Sequence, residues 1–220
     1  MARVLAEATE QLLILVVLVD LFALAASRLG ALIRIVALQG IVLGIVPLLA
    51  DPHALTARAV LLAGLSLGLK GFVFPILLFR ATRDEAVRRE VTPYVGYSLS
   101  MLVGAVLIGG SFVLGNRLPL PFPAISPLLV PVALSTALIG MFIIVSRRKA
   151  ATQVLGYLVL ENGIFVFGLT LSGKMPWLVE MGVLLDIFIG IFVMGIALHH
   201  IHRQFDSIDV DHLTNLRDVP

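Results

Sequence analysis

Four ionisable side chains interrupt long apolar runs of this chain. They are Asp20, Lys70, Glu161 and Asp186. Two amide side chains are expected at similar depth, Gln39 and Asn162. A charge at the centre of a bilayer costs about 2.5–3.5 kcal/mol. We therefore expect these groups to face protein or water, or to be neutral.

The balance of these residue types indicates proton exchange. Three acids against one base leave acids that Lys70 alone cannot neutralise. Burial disfavours the charged form of such groups, and groups held this way can exchange protons near neutral pH. We interpret the four as a proton relay, supported by the two amides. The alternative is structural: Lys70 pairs with one acid, and the other groups hydrogen-bond between helices.

The elements that position these residues are predicted to be membrane helices. The 220 residues are 59% hydrophobic and 14% charged, with a mean hydropathy of +1.05. This composition predicts an all-α, polytopic integral membrane protein. Seven apolar runs are read as spans: Gln11–Ser27, Ala31–Ala50, Thr56–Phe79, Val95–Gly115, Leu128–Val145, Ala151–Ser172 and Leu178–Leu198. The first run is short and is expected to extend back into the AEATE stretch before it.

The charges in the loops predict the orientation. Eleven Lys and Arg residues fall on one side of a seven-helix arrangement and four on the other. The positive-inside rule then places the N-terminus outside and the C-terminus in the cytoplasm of a multi-pass inner-membrane protein. The predicted blocks are three helices with a charged loop (1–94), a fourth helix with a Pro-rich loop (95–127), three further helices (128–200) and a tail (201–220).

Composition also excludes several functions. The chain has no cysteine, which excludes iron–sulfur clusters and thiolate-held nickel in this chain. Aromatic residues make up only 7%, too few for a nucleic-acid stacking surface. No catalytic residue, cofactor or metal site is predicted, and nucleic acid is not an expected partner.

Two further patterns bear on the interior. Pro75 follows Lys70 by five residues, and Pro47 lies in the second helix. Each is predicted to weaken helical hydrogen bonds, which near Gly71 leaves room for water. In addition, LQGIVLGI from Leu38 resembles ENGIFVFGL from Glu161, 123 residues later. This predicts a three-helix duplication, and an inverted one would favour an independent carrier.

The C-terminal part, about residues 128–220, resembles the NuoK/MrpC family of three-helix subunits in complex I and cation/proton antiporters. That family carries Gly-x-Glu-x-x-x-Asn in its second helix. Here Gly156 and Asn162 match, but Leu158 stands where the acid belongs and the acid is Glu161. The family's Glu-x-x-Ile-Gly matches DIFIG from Asp186, and FDSIDVDHLTNLRD resembles the family's tail.

The whole chain resembles the HyfE (component E) family of complex I-like [NiFe]-hydrogenases, in its length, LQGIVLG, the lysine followed by a proline, and LENGIF. The resemblance implies a non-redox, non-catalytic subunit between the redox arm and the antiporter-like subunits. It would work beside membrane anchor subunits and, indirectly, a soluble [NiFe]/Fe–S arm. Glu161 and Asp186 would be relay acids at mid-membrane, Lys70 a modulator and Asp20 a further member.

Three alternatives stay open from the sequence. The chain could belong to a multisubunit cation/proton antiporter or another complex I-like assembly. It could be a purely structural membrane scaffold, in which case the acids only join helices. It could be an independent small-molecule carrier, which would require the inverted duplication.

Overall fold

The structure is a computed structural model and describes residues 2–50, 57–82, 94–118, 126–171, 184, 185 and 188. Its regular elements are helices: α1 (Ala2–Ala25), α2 (Leu29–Ala50), α3 (Ala57–Gly68), a π-helical turn (Leu69–Val73), α4 (Phe74–Ala81), α5 (Tyr97–Gly115), α6 (Leu129–Ser146) and α7 (Ala150–Leu171). In the described ranges, six helical segments are long and apolar enough to cross a membrane. The predicted all-α, multi-pass membrane fold is confirmed.

The observed helices match six of the predicted spans closely. The largest difference is at the start of α1, which begins at Ala2 and so extends through the expected AEATE stretch and four residues beyond it. The extra turns are rich in Ala and Glu, which are strong helix formers and need no burial. The seventh predicted span, Leu178–Leu198, lies outside the described residues except for positions 184, 185 and 188. The seven-helix count and the orientation stay predictions, as does the division into blocks.

One span is built from three pieces, because α3 and α4 are joined by the π-helical turn Leu69–Val73. The Phe74 N–H bonds the Leu69 carbonyl, five residues back. Pro75 follows and has no N–H to offer the carbonyls of the preceding turn. The predicted disturbance next to Lys70 is therefore present, whereas α2 continues past Pro47 to Ala50. Such π turns open the helical ladder locally and re-aim side chains.

Helices α6 and α7 form the tightest pair of the bundle. They run antiparallel through a short connection and meet at glycines. A Cβ on Gly156 would lie 2.9 Å from the Ile144 nitrogen and 3.0 Å from the Gly140 oxygen. Only residues without side chains allow backbones to approach so closely, and membrane helices use this contact because lipid gives no hydrophobic drive for association.

Helices α1 and α6 lie side by side and point the same way. Glu10 near the start of α1 meets Ser126 just before α6, while Leu24 at the end of α1 meets Arg147 just after α6. Because α2 turns back from α1 and α7 turns back from α6, α2 and α7 are also parallel. The two matching stretches touch where they correspond, since Asn162 Nδ2 donates to Gln39 Oε1 at a separation of 123 residues.

This geometry argues against an inverted duplication, which was the condition for an independent carrier. Three spans, α2, α3–α4 and α5, lie between α1 and α6, and an odd number of intervening spans restores the original direction across a membrane. The two matching stretches therefore lie on parallel helices, whereas an inverted repeat would place them on antiparallel ones. An independent carrier loses the feature that favoured it.

Candidate functional site

Six buried polar residues, contributed by α1, α2, the π turn, α6 and α7, form one connected group that we call the polar layer. Its members are Asp20, Gln39, Lys70, Thr136, Glu161 and Asn162. Lys70 is the most exposed of them, at 6%. The structure therefore brings together five of the six predicted site residues. The sixth, Asp186, lies outside the described residues.

An ion pair stands at one end of the polar layer. The Lys70 Nζ lies 2.6 Å from Glu161 Oε1 and 3.0 Å from Asn162 Oδ1. The ammonium also lies 5.1 Å from the centroid of the Phe165 ring, within the range of a cation–π interaction. Neighbours in α7 at positions 161, 162 and 165 share one helical face, so a single helix supplies all three contacts.

Two amides carry the hydrogen bonding from this pair to Asp20. Asn162 Nδ2 donates to Gln39 Oε1 at 3.2 Å, and Gln39 Nε2 donates to Asp20 Oδ1 at 2.8 Å. A lysine ammonium can only donate, so Asn162 must present its oxygen to Lys70 and its nitrogen to Gln39. The same logic orients Gln39. Every bond in the chain therefore points from Lys70 towards Asp20.

Thr136 completes the polar layer and was missed by the sequence analysis. Its Oγ1 lies 2.7 Å from Asp20 Oδ2. A hydroxyl in an apolar helix is usually satisfied by a carbonyl one turn back, as Ser135 is by Val132 at 3.0 Å. Nothing in the sequence distinguishes these two neighbours. The only available signal was that position 136 lies mid-way along a predicted span.

A close helix contact fixes the position of Lys70. At the crossing of α2 and the π turn, a Cβ on Gly40 would lie 2.6 Å from the Lys70 Cβ. The glycine thus lets the lysine backbone approach α2, from where the side chain reaches α7. The π turn presents Lys70 inward, whereas Leu61 and Leu65 on α3 are exposed.

The polar layer lies between two apolar clusters. On α1, α2, α6 and α7 the polar residue is flanked on one side by members of the first cluster and on the other side by members of the second. The first includes Leu24, Ile33, Val36, Ile139, Leu158 and Val159, and the second includes Leu13, Val16, Val42, Val132, Phe165 and Val166. Leu158 stands where the family pattern has its acid, and in this chain it belongs to the first apolar cluster. Within the described residues, polar groups continue sideways rather than towards either membrane face.

The charge of the polar layer is unbalanced as it stands. It holds two carboxyl groups and one ammonium, so it carries one net negative charge if all three ionise. In the described ranges no group of three His, Asp or Glu side chains could hold a metal ion. The arrangement offers proton-binding groups in an enclosed, low-dielectric setting.

Comparisons with known proteins place this geometry in context. The family model for NADH-ubiquinone/plastoquinone oxidoreductase chain 4L matches residues 128–218. Hydrogenase-4 component E of Escherichia coli K12 is 30% identical over 150 residues, which cover 67% of this chain and 68% of that protein. "Uncharacterized protein Rv0085" of Mycobacterium tuberculosis is 34% identical over 192 residues, 86% of this chain and 87% of that protein. No solved structure matches the chain.

Proposed function

The chain belongs to the hydrogenase-4 component E family of complex I-like membrane subunits, and from this premise we propose that it is the non-redox coupling subunit of an energy-converting hydrogenase. Its polar layer would carry protons along the membrane midplane, between the redox arm and antiporter-like subunits. Glu161, Lys70 and Asp20 are the proposed relay groups, and Gln39 and Asn162 their supports. Asp186 is a further proposed relay acid, outside the described residues.

One observation carries this proposal: the polar layer is continuous sideways and bounded by apolar clusters above and below. A channel or carrier needs a polar path that reaches both membrane faces. A lateral relay needs ionisable groups at mid-depth, and ionisable groups inside membranes mark proton pathways. Lys70 is part of the α3–α4 span, many of whose side chains are exposed, and Glu161 contacts Lys70 there. They are therefore the proposed point of exchange with a neighbouring subunit.

The test is Glu161→Gln in cells that make the assembled complex. The amide keeps the size and can still accept from Lys70, so assembly should stay near normal. Proton translocation in inverted vesicles should fall at least about tenfold, because the exchangeable carboxyl is lost. Glu7→Gln is the matched control, since Glu7 is exposed near the start of α1 and lies outside the polar layer.

The scaffold alternative gives a different outcome in the same experiment. If the polar layer only joins helices, Glu161→Gln should either leave translocation unchanged or lower the amount of assembled complex in proportion. Either result would overturn the relay. A second candidate is another complex I-like assembly, favoured by the chain 4L match over residues 128–218. Co-purified partners distinguish the two, because only the hydrogenase would bring a nickel-containing subunit.

A further inference from the structure

We propose that Asp20 and Glu161 are alternative holders of one proton, and that the Gln39–Asn162 amide pair transmits which of them holds it. This deepens the proposed function, on which it rests for its use in turnover. The observation behind it is that both acids are tied to the same cation. Glu161 contacts Lys70 directly at 2.6 Å, and Asp20 reaches it through two oriented amides.

Charge balance sets the number of protons. An uncompensated charge in an enclosed apolar site is strongly unfavourable, whereas a paired one is tolerated. Two carboxylates and one ammonium become neutral when one proton is added. The other charged residues nearest along the described helices are Glu10 on α1, Arg34 on α2 and Arg80 on α4, which lie ten, five and ten residues from the layer member on the same span. Further titratable residues on these helices are Arg3 and Glu7 on α1, Arg58 on α3, Tyr97 on α5 and Tyr157 on α7.

Two arrangements satisfy this balance. In the first, Asp20 is protonated and Lys70 pairs with the Glu161 carboxylate. In the second, Glu161 is protonated and the Asp20 carboxylate polarises the amide chain towards Lys70. Both keep Lys70 charged and every amide in the orientation observed. Hydrogen bonds to a charged group are about twice as strong as neutral ones, so the amide bonds strengthen in the second arrangement and weaken in the first.

The amides cannot carry the proton themselves. An amide nitrogen donates and its oxygen accepts, and passing a proton through would require a protonated amide oxygen. Gln39 and Asn162 are therefore positioning residues that transmit charge state. A change of arrangement releases a proton from one carboxyl while another proton binds to the other, so the total stays at one. Thr136 is the described contact of Asp20 that both donates and accepts, and it can pass a proton to or from that carboxyl.

Infrared spectra of the full-length chain in lipid nanodiscs at neutral pH test the proton count. The background is Asp186→Asn, which removes the other predicted membrane acid, and D2O identifies protonated carboxyls by their shifted C=O band. Asp20→Asn and Glu161→Gln should each abolish the band, because the remaining acid pairs with Lys70. Lys70→Met should give about twice the parent area, because both acids must then be neutral.

Retention of the parent band in either single acid variant, or an unchanged area in Lys70→Met, would overturn the shared proton.

For the amides, the parent band should have two components, one from each acid. Gln39→Met or Asn162→Leu should remove the Glu161 component and keep only the Asp20 component, since Asp20 then no longer reaches Lys70. Gln153→Met is the matched control, because Gln153 donates to the Arg147 carbonyl outside the layer.

Persistence of both components in Gln39→Met and Asn162→Leu would remove the amides from the coupling. The infrared outcome is independent of turnover. If the band pattern is as expected but translocation by the complex survives Glu161→Gln, the shared proton stands and the proposed function fails. If translocation is lost but the bands do not respond, the function stands and the shared proton fails.

Discussion

Lys70 shows how a single side chain can be charged in the middle of a membrane protein. Its ammonium donates hydrogen bonds to a carboxylate oxygen and an amide oxygen and lies over an aromatic ring, and all three groups belong to α7. Each contact replaces part of the hydration that the ammonium loses on burial. Removing one partner of such a pair leaves the other uncompensated, which is why either half of the Lys70–Glu161 pair should be replaced only by an isosteric neutral residue.

Thr136→Val should weaken the site at the level of one hydrogen bond. Valine keeps the shape but leaves Asp20 Oδ2 without the 2.7 Å hydroxyl contact. We expect a loss of about 1 kcal/mol in the free energy of unfolding, measured by titration from lipid-like detergent into dodecyl sulfate. Ser135→Ala is the control, since Ser135 bonds only its own helix, and its cost should be well below that of Thr136→Val. Equal costs would mean that the Asp20 contact contributes nothing.

At the scale of residues, the sequence predicted most members of the site but not which of them pair with each other. Ionisable and amide residues are conspicuous in apolar runs, so five of the six members of the polar layer were predictable. Which acid pairs with Lys70 was not, because Asp20 and Glu161 lie at comparable depth and only helix packing brings Glu161 within 2.6 Å. Thr136 was not predictable either, because a threonine in a helix can satisfy itself.

Among the elements, the end of α6 ties three helices together. Arg147 is almost fully buried, and its Nη2 donates to the Leu24 carbonyl at the end of α1. Its guanidinium also lies 5.2 Å from the Tyr97 ring at the start of α5. Burial lowers the pKa of Arg147, while the charge interaction with Tyr97 opposes this. A cation at a helix C-terminus is stabilising, so Arg147 fixes α1 lengthwise against α6.

Arg147→Gln should therefore destabilise the bundle more than Arg148→Gln. The first change removes a charged donor from a buried carbonyl and should cost about 2 kcal/mol in unfolding free energy. The second removes a cation that is exposed and lies 4.4 Å from the Tyr94 ring, worth about 0.5–1 kcal/mol. Chemical denaturation of the two variants side by side measures the difference. If Arg148→Gln proves the more costly, the tie assigned to Arg147 is wrong.

The crossing of α2 and the π turn depends on the absence of a side chain at Gly40. Carbon atoms in contact sit about 3.5–4.0 Å apart, so Gly40→Ala, whose Cβ would lie 2.6 Å from the Lys70 Cβ, must push the turn away by about 1 Å. We expect a cost of about 1–3 kcal/mol in unfolding free energy and a weakened Lys70–Glu161 pair. Gly68→Ala on the same span meets nothing within 4 Å and should be neutral or stabilising.

Proton translocation separates the two effects of Gly40→Ala. Because the lysine is displaced, translocation should fall more than the amount of folded protein, whereas Gly68→Ala should leave both unchanged. Should Gly40→Ala keep full translocation per folded molecule, the close approach at this crossing has no bearing on the site.

For the whole molecule, the spans were predictable to within a few residues except at the start of α1, whereas their arrangement was not. The position and length of an apolar run determine where a helix crosses the membrane, and both can be read directly from the sequence. Whether two helices are parallel or antiparallel depends on the number of spans that lie between them in the chain. The sequence left an inverted duplication open, but three spans lie between α1 and α6 and the contacts of these two helices are parallel.

The parallel arrangement can be tested by cross-linking, and the chain suits this because it contains no cysteine. Glu10→Cys with Ser126→Cys should cross-link in membranes through a short bifunctional reagent, since the two native side chains meet at 3.4 Å. Glu10→Cys with Arg148→Cys should not, because α6 has 18 residues and would separate the pair by about 27 Å. An inverted arrangement predicts the opposite pattern. Since α1 and α6 hold Asp20 and Thr136 together, reversed cross-links would also contradict the polar layer, and with it the proposed lateral proton path.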